Sequence, residues 1–173
     1  MPAQQGVMSA YQLMPHTHKG IGQGGIIRND DLYQSCGLRA YRNAAQLIPQ
    51  VAITQILFEA EMYDIGGDFN ADGVNSEFTT PDNGFYYIQS TQNIILTAAP
   101  LPVYLYIYKD GAFEVFAHHT CSVVGTFAVS IAALLELIAG EVIDIRIWHG
   151  SAAGRNLVGG SGQNWLSIFK IGE

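Results

Sequence analysis

Residues 51–90 read VAITQILFEA EMYDIGGDFN ADGVNSEFTT PDNGFYYIQS, and this stretch decides the class of fold. Its first part alternates Ile56, Phe58, Ala60 and Met62 with Gln55, Leu57, Glu59 and Glu61. An apolar residue at every second position lines one side of an extended chain, which predicts a β-strand with one buried face. A polar segment follows, and Asn83-Gly84 supplies a turn signal. After it come Phe85, Tyr86, Tyr87 and Ile88, the aromatic and β-branched types that fit a pleated sheet. The stretch predicts strand, long polar loop, strand.

The same stretch carries a spaced set of residues. Five residues separate Phe58 from Asp64 and four separate Asp64 from Phe69; Phe78 then precedes Gly84-x-Tyr86 by five. This resembles the signature of the complement C-one-q globular-head family, relatives of the tumour-necrosis-factor jelly rolls. The sequence departs from that pattern twice: two extra residues lie between Phe69 and Phe78, and Ile88 stands where Phe is usual. Further on, Leu135-x-Leu137 with Gly140-Glu141-x-Ile143 resembles the family's second landmark, Leu-x-Leu-x-x-Gly-Asp-x-Val. The resemblance covers residues 36–173. It implies an all-β jelly-roll sandwich that associates as a compact trimer, with aromatic residues near the three-fold axis.

Outward from the signature, the rest of the chain also reads as strands. A first candidate spans residues 38–47 and ends at Pro49. In VYLYIYKDGAFEVFAHH, Val103, Leu105 and Ile107 face one way and Tyr104, Tyr106 and Tyr108 the other. Asp110-Gly111 marks a hairpin, because both central positions of such a turn favour positive φ. Residues 125–149 contain the helix-like AALLELIAGE, yet Val129, Ile131, Ala133, Leu135 and Leu137 alternate at the strand period. A turn at Ala139-Gly140 then precedes the β-branched run Val142, Ile143, Ile145 and Ile147. A Gly-rich loop, 151–162, leads to a closing strand over 165–171. The pattern predicts about eight to ten short antiparallel strands and no helix, a sandwich or jelly-roll profile. Residues 1–35 follow neither period and are rich in Gly, His and polar groups, so they read as an irregular N-terminal attachment arm beside a domain over 36–173.

Composition excludes several functions. The 173 residues are 49% hydrophobic and only 13% charged, which fits a chain that hides part of its surface in an oligomer. A net charge of −7, with 8 Lys and Arg and no basic run, argues against nucleic acid and anionic membranes. The most apolar window, 123–138, is interrupted by Gly125, Thr126, Ser130 and Glu136 and is too short to insert into a bilayer. The first residues lack the charged start and apolar run of a secretory signal, so folding in a cytoplasm is expected. Cys36 and Cys121 do not make a disulfide framework and read as buried thiols.

Candidate sites are few. Tyr104, Tyr106 and Tyr108 form an apolar stripe tipped with hydroxyls, the kind of surface found at interfaces, and are the candidate trimer interface. His16-Thr17-His18 places two imidazoles on one side of an extended chain. Around a three-fold axis these give six nitrogens, a set suited to a divalent transition metal on the trimer axis. Two ordinary solvent-exposed histidines are the alternative. Asp68-x-Asn70-x-Asp72-Gly73 opens like a calcium loop, but Thr79 stands where the bidentate Glu belongs, and a polar loop tip competes with calcium. Gly20-x-Gly22-x-x-Gly25 lacks the strand before and helix after that a dinucleotide site requires. His118 and His119, adjacent on a strand, point to opposite faces, so with Cys121 they do not form one ligand set. No nucleophile elbow or paired carboxylates appear, so an enzyme is not expected.

The His-x-His in a Gly-rich arm is similar to segments of bacteriophage tail fibres and spikes. With the jelly-roll resemblance it implies a non-enzymatic, trimeric structural or binding protein on a virion, assembled in the host cytoplasm. Such a protein is a capsid decoration, a head fibre or a tail-fibre knob. Its partners are itself as a homotrimer, other virion proteins through residues 1–35, and a host-surface glycan or receptor. The alternative is a secreted or spore-surface, lectin-like recognition module of the same fold.

Overall fold

The computed structural model describes residues 36–172. The arm, with His16 and His18, lies outside the described residues. Seven strands make one sheet: β1 (Gly37–Tyr41), β2 (Gln46–Ile48), β4 (Ala60–Ile65), β6 (Gly84–Leu96), β9 (Gly125–Leu137), β11 (Arg155–Leu157) and β12 (Trp165–Gly172). Five make the other: β3 (Thr54–Gln55), β5 (Phe78–Thr79), β7 (Leu101–Lys109), β8 (Ala112–Cys121) and β10 (Val142–His149). Every strand pairing is antiparallel. There is no helix among the described residues.

In the first sheet the order β4-β1-β12-β6-β9 runs across the body, and the β2–β11 ribbon joins β6 through the single pair Leu157–Ile94. In the second the order is β3-β10-β7-β8, with β5 on the edge of β10 beside β3. The core lies between the sheets. Strand β6 shows how sequence writes this arrangement: Tyr86, Ile88, Ile94 and Leu96 point inward and are buried, while Phe85, Tyr87 and Ile95 point outward. Two inward positions are polar, Ser90 and Gln92. Gln92 Nε2 donates to Ser90 Oγ (2.8 Å) and Ser90 Oγ to the Trp165 carbonyl (2.9 Å), which offsets their burial, while Gln92 Oε1 has no hydrogen-bond partner.

The spaced signature is a packing device. Phe58, Phe78, Tyr86 and Ile88 are fully buried and Phe69 nearly so. The Phe58 and Phe69 ring centroids lie 6.5 Å apart and those of Phe78 and Tyr86 6.1 Å apart, both tilted. Asp64 accepts the Phe69 amide (3.0 Å), which fixes where the second aromatic enters the core. Tyr86 keeps its hydroxyl satisfied by donating to the Asp82 carbonyl (2.8 Å), and burial pushes its phenol up to about 12. A side chain at Gly84 is excluded by the chain end of β12, since a Cβ there would sit 2.4 Å from the Gly172 carbonyl oxygen.

Several expected elements are cut differently. The strand expected over 38–47 is two, β1 and β2, in the same sheet but not paired with each other. They are separated where Arg42, 7% exposed, turns inward to bond the Ala44 carbonyl and Gln46 and to pair with Glu59 at 3.4 Å. The alternation Ile56, Phe58, Ala60, Met62 is also broken. Ile56 and Phe58 are buried in a non-strand crossing between β3 and β4, and Met62 is 59% exposed. The cause is a bulge, because Arg39 pairs Tyr63 and Ala40 pairs Glu61, which leaves Met62 without an opposite residue. The expected strands after residue 100 do form. Asp110 (φ +49°) and Gly111 (φ +77°) make the β7–β8 hairpin turn, and β9 and β10 form as the alternation through AALLELIAGE implied.

Candidate functional site

Exposed surface chemistry gathers on two sheet faces and one loop. On the five-stranded sheet, alternation in β7 turns Tyr104, Tyr106 and Tyr108 outward while Val103, Leu105 and Ile107 enter the core. Register adds neighbours that the tyrosine spacing alone does not reveal. Tyr104 lies between His118 of β8 and Trp148 of β10, and Tyr106 between Phe116 and Arg146. The Tyr104 ring stacks on His118 (4.5 Å, 16°) and meets Trp148 edge-on (5.5 Å). Arg146 forks onto Asp144 (2.7 and 2.8 Å) and lies 4.0 Å from the centre of the Tyr108 ring. That hydrogen bond to Asp144, more than any other influence, holds the guanidinium protonated. Burial, then the neighbouring Tyr108 and Tyr104, raises the Tyr106 phenol. The tyrosines are therefore half-buried and braced by one another, and the residues that protrude most here are Phe113 (60% exposed) and Phe116 (52%). Beside them Val51, Ile53, Tyr104, Tyr106 and Trp148 line a shallow cleft of about 310 Å³.

The opposite face of the molecule is the outer surface of β4-β1-β12-β6-β9. Register aligns its side chains in rows across the strands. Ile65, Gly37, Phe169, Tyr87 and Leu134 make one row, and Arg39, Ser167, Gln89 and Ala132 another. Tyr41, Trp165, Thr91 and Ser130 make a third, with the last two hydroxyls 2.9 Å apart. Leu134 is 54% exposed and Tyr87 37%. Among outward-pointing strand positions of β1, β12, β6 and β9, Arg39 and Glu136 alone are charged, and Arg39 is tied over the Trp165 ring at 4.3 Å. This surface was not anticipated from sequence. Its signal was present in the outward set Phe85, Tyr87, Ile95, but the matching rows come from strands far apart in the chain.

The loop that carries the extra residues hangs from a bridge between Phe69 and Phe78. Two of its three candidate calcium ligands, Asn70 and Asp72, already have partners in the loop, whereas Asp68 Oδ2 is buried without a hydrogen-bond partner. Asn70 Oδ1 accepts the Asp72 amide (3.1 Å), and Asp72 Oδ1 accepts the amides of Val74 (2.8 Å) and Asn75 (2.7 Å). Those amides, Asn75 first, hold the Asp72 carboxyl below its ordinary range. Asp68 is turned back toward Gly66, and burial followed by Asp64 raises its carboxyl. Ser76 anchors the loop base by accepting the Phe58 amide (2.7 Å) and donating to the Phe58 carbonyl (3.1 Å).

The remaining chemistry-bearing residues are dispersed. His118 and His119 point apart: the first stacks on Tyr104 and the second sits 3.0 Å from the Ser130 carbonyl. Cys36 and Cys121 are buried and free, and burial pushes the Cys36 thiol up to about 12, far from nucleophilic character at neutral pH. No group of three or more His, Cys, Asp or Glu is placed to hold a metal ion among the described residues.

No family model matches the sequence, and no curated protein matches it. Solved structures do. The globular domain of zebrafish complement 1qA protein aligns with a TM-score of 0.60 at 16% identity, covering 79% of this chain and 97% of that one. Eiger TNF from S. frugiperda aligns at 0.60 and 11% identity over 82% and 95%. Murine APRIL, in its pH 5.0 crystal structure, aligns at 0.59 and 14% identity over 79% and 98%. The chain thus has the jelly-roll fold of the complement C-one-q and tumour-necrosis-factor domains, as the spacing from Phe58 to Tyr86 implied.

Proposed function

We propose that this chain is a non-enzymatic binding module that assembles as a homotrimer on the surface of a bacteriophage virion. There it serves as a capsid decoration or head fibre, or as the knob of a tail fibre that meets a host-surface glycan or receptor. The observation that carries the assembly is the outer face of the seven-stranded sheet. An apolar row from Ile65 to Leu134 crosses five strands, and the rows on either side of it carry one charge each, Arg39 on one and Glu136 on the other. Exposed apolar surface of this breadth is costly to leave in water, and a second copy of the same chain covers it without an opposite charge. The tyrosine face is the competing surface for that contact.

Support for the virion is the Gly-rich His-x-His arm, which resembles phage fibre segments. In this reading residues 1–35 attach the trimer to other virion proteins. His16 and His18 of three chains then gather six nitrogens about the axis for a divalent transition metal.

Mutation separates the two faces. Tyr87→Glu with Leu134→Lys is expected to give monomers by light scattering, and Tyr106→Glu with Phe116→Lys to leave the assembly intact. The reverse result would move the interface to the tyrosines. Peptide mass spectrometry of purified phage particles tests the location. Absence from particles, with presence in culture supernatant or on spores, would favour the secreted or spore-surface recognition module.

A further inference from the structure

His149, the last residue of β10, is completely buried (0% exposed) at a junction between the two sheets. Both of its ring nitrogens are engaged by backbone. The Ser151 amide lies 3.3 Å from Nδ1, and the Ile48 carbonyl of β2 lies 3.1 Å from Nε2. An amide only donates and a carbonyl only accepts. Nδ1 must therefore be the bare nitrogen and Nε2 the protonated one, so the ring fits its site only as the neutral Nε2–H tautomer. A second proton on Nδ1 would meet the Ser151 N–H head-on.

The surroundings do not compensate such a charge. On β7 the residue in register is Val103, and beyond it in the same row lies His119, whose ring turns to the Ser130 carbonyl. Strand β2 (Gln46, Leu47, Ile48) has no titratable side chain. The charged group facing His149 comes from β11: Arg155, a cation that disfavours a second positive charge. Burial, the largest influence, together with Arg155 holds the imidazole below its ordinary value of 6.5.

What His149 ties down is a short two-stranded ribbon, held besides by Gln46, which donates to the Gln55 carbonyl (2.8 Å) and accepts the Leu57 amide (3.1 Å). Strand β2 pairs only with β11, and β11 reaches β6 through one residue pair and the bond from the Val158 amide to the Asn93 carbonyl (2.9 Å). Immediately after β2 the chain passes through Val51 at φ +54°, a left-handed conformation that a β-branched residue resists. Val51 and Ile53 then form one wall of the cleft against Tyr104, Tyr106 and Trp148.

We propose that His149 is an acid-released latch: a proton on Nδ1 is set against the Ser151 N–H and puts an uncompensated charge in the buried site, so the charged ring leaves that site, carries its Nε2–H away from Ile48, frees the β2–β11 ribbon, and opens the Val51–Ile53 wall of the aromatic cleft. The latch is closed at neutral pH and releases in mild acid, while β6, β9 and β12, which exchange long ladders of hydrogen bonds, stay in place.

Amide hydrogen exchange on the full chain at pH 7.5 and pH 5.0, corrected for the intrinsic pH dependence, tests this. Peptides covering 46–53 and 151–158 are expected to exchange at least about tenfold faster at pH 5.0, with β6 and β9 peptides unchanged. His149→Gln, which keeps an N–H donor and an acceptor but does not titrate, is expected to abolish the difference. Equal protection at the two pH values, or the same acceleration in His149→Gln, would overturn the latch. Should His149→Gln not fold, ¹⁵N shifts of the wild-type ring decide instead. A neutral Nε2–H ring at pH 7.5 that becomes protonated together with the loss of protection supports the latch, and a ring charged at pH 7.5 or titrating at or above 6.5 refutes it.

Discussion

Replacing Phe58 by alanine removes a fully buried ring that contacts Phe69 at 6.5 Å and whose backbone is clasped by Ser76. Phe-to-Ala changes in well-packed cores cost about 3–5 kcal/mol, because the lost transfer energy is joined by the cavity left behind. In a domain of this size each kcal/mol moves Tm by about 2–4 °C, so a fall of about 6–20 °C is expected. Phe69→Ala should lie at the low end of that range, since its ring touches solvent and the loop beside it has room to relax. If the two rings stabilise each other, the double variant will lose less than the sum of the singles by about 0.5–1.5 kcal/mol, and the separation near the far end of useful ring contact favours the lower half. Urea unfolding at fixed protein concentration, followed by the fluorescence of Trp148 and Trp165, gives the three differences. A cost below about 1 kcal/mol for Phe58→Ala, or additive effects of the pair, would show that the spaced aromatics do not lock this core.

Other perturbations have definite outcomes. Glu59→Ala leaves the buried Arg42 without its carboxylate and frees the amides of Asn43 and Ala44, which Glu59 accepts at 2.8 and 2.7 Å; with Glu59 partly exposed, about 2–3 kcal/mol should be lost in urea titration. Gly84→Ala drives a methyl group into the Gly172 carbonyl and should cost about 1–3 kcal/mol, fraying the end of β12 in amide exchange. The Asp72 carboxyl titrates below its ordinary value in the fold, so its support of the loop is complete above pH 3.8 and fades as the pH falls through the lower, folded value. The Val74 and Asn75 amides should lose protection in that window and keep it in Asp72→Asn, which retains the accepting oxygen. Because the Asn70 and Asp72 oxygens already hold loop amides, calcium or its chelation should shift Tm by less than about 1 °C.

Where one face of a long strand is buried, the sequence announced the structure. The period of two in β7 and β9 and the Asp110-Gly111 turn were legible because burial and turn geometry act on adjacent residues. Phe58, Asp64, Phe69, Phe78 and Tyr86 were legible as a set through their spacing, before any physical role could be given to them. What escaped was set by partners distant in sequence. Met62 leaves the core because of a bulge against β1, and the division at Arg42 depends on Glu59 and Leu57 across a loop. The tyrosine stripe was visible, but Trp148, Phe116 and His118 join it only through strand pairing. His149 had nothing in its neighbours to mark it, since Ile48 is 101 residues away. The row from Ile65 to Leu134 likewise draws on five separate strands.

The claim on which the functional account rests is self-association through the charge-poor sheet. Its most direct test is the mass of the full chain in solution at neutral pH and micromolar concentration, by light scattering coupled to size exclusion. The account predicts a species three times the 18.8 kDa chain mass, reduced to the chain mass in the Tyr87→Glu, Leu134→Lys variant. A monomeric wild-type chain, or a trimer that this variant leaves intact, would contradict it.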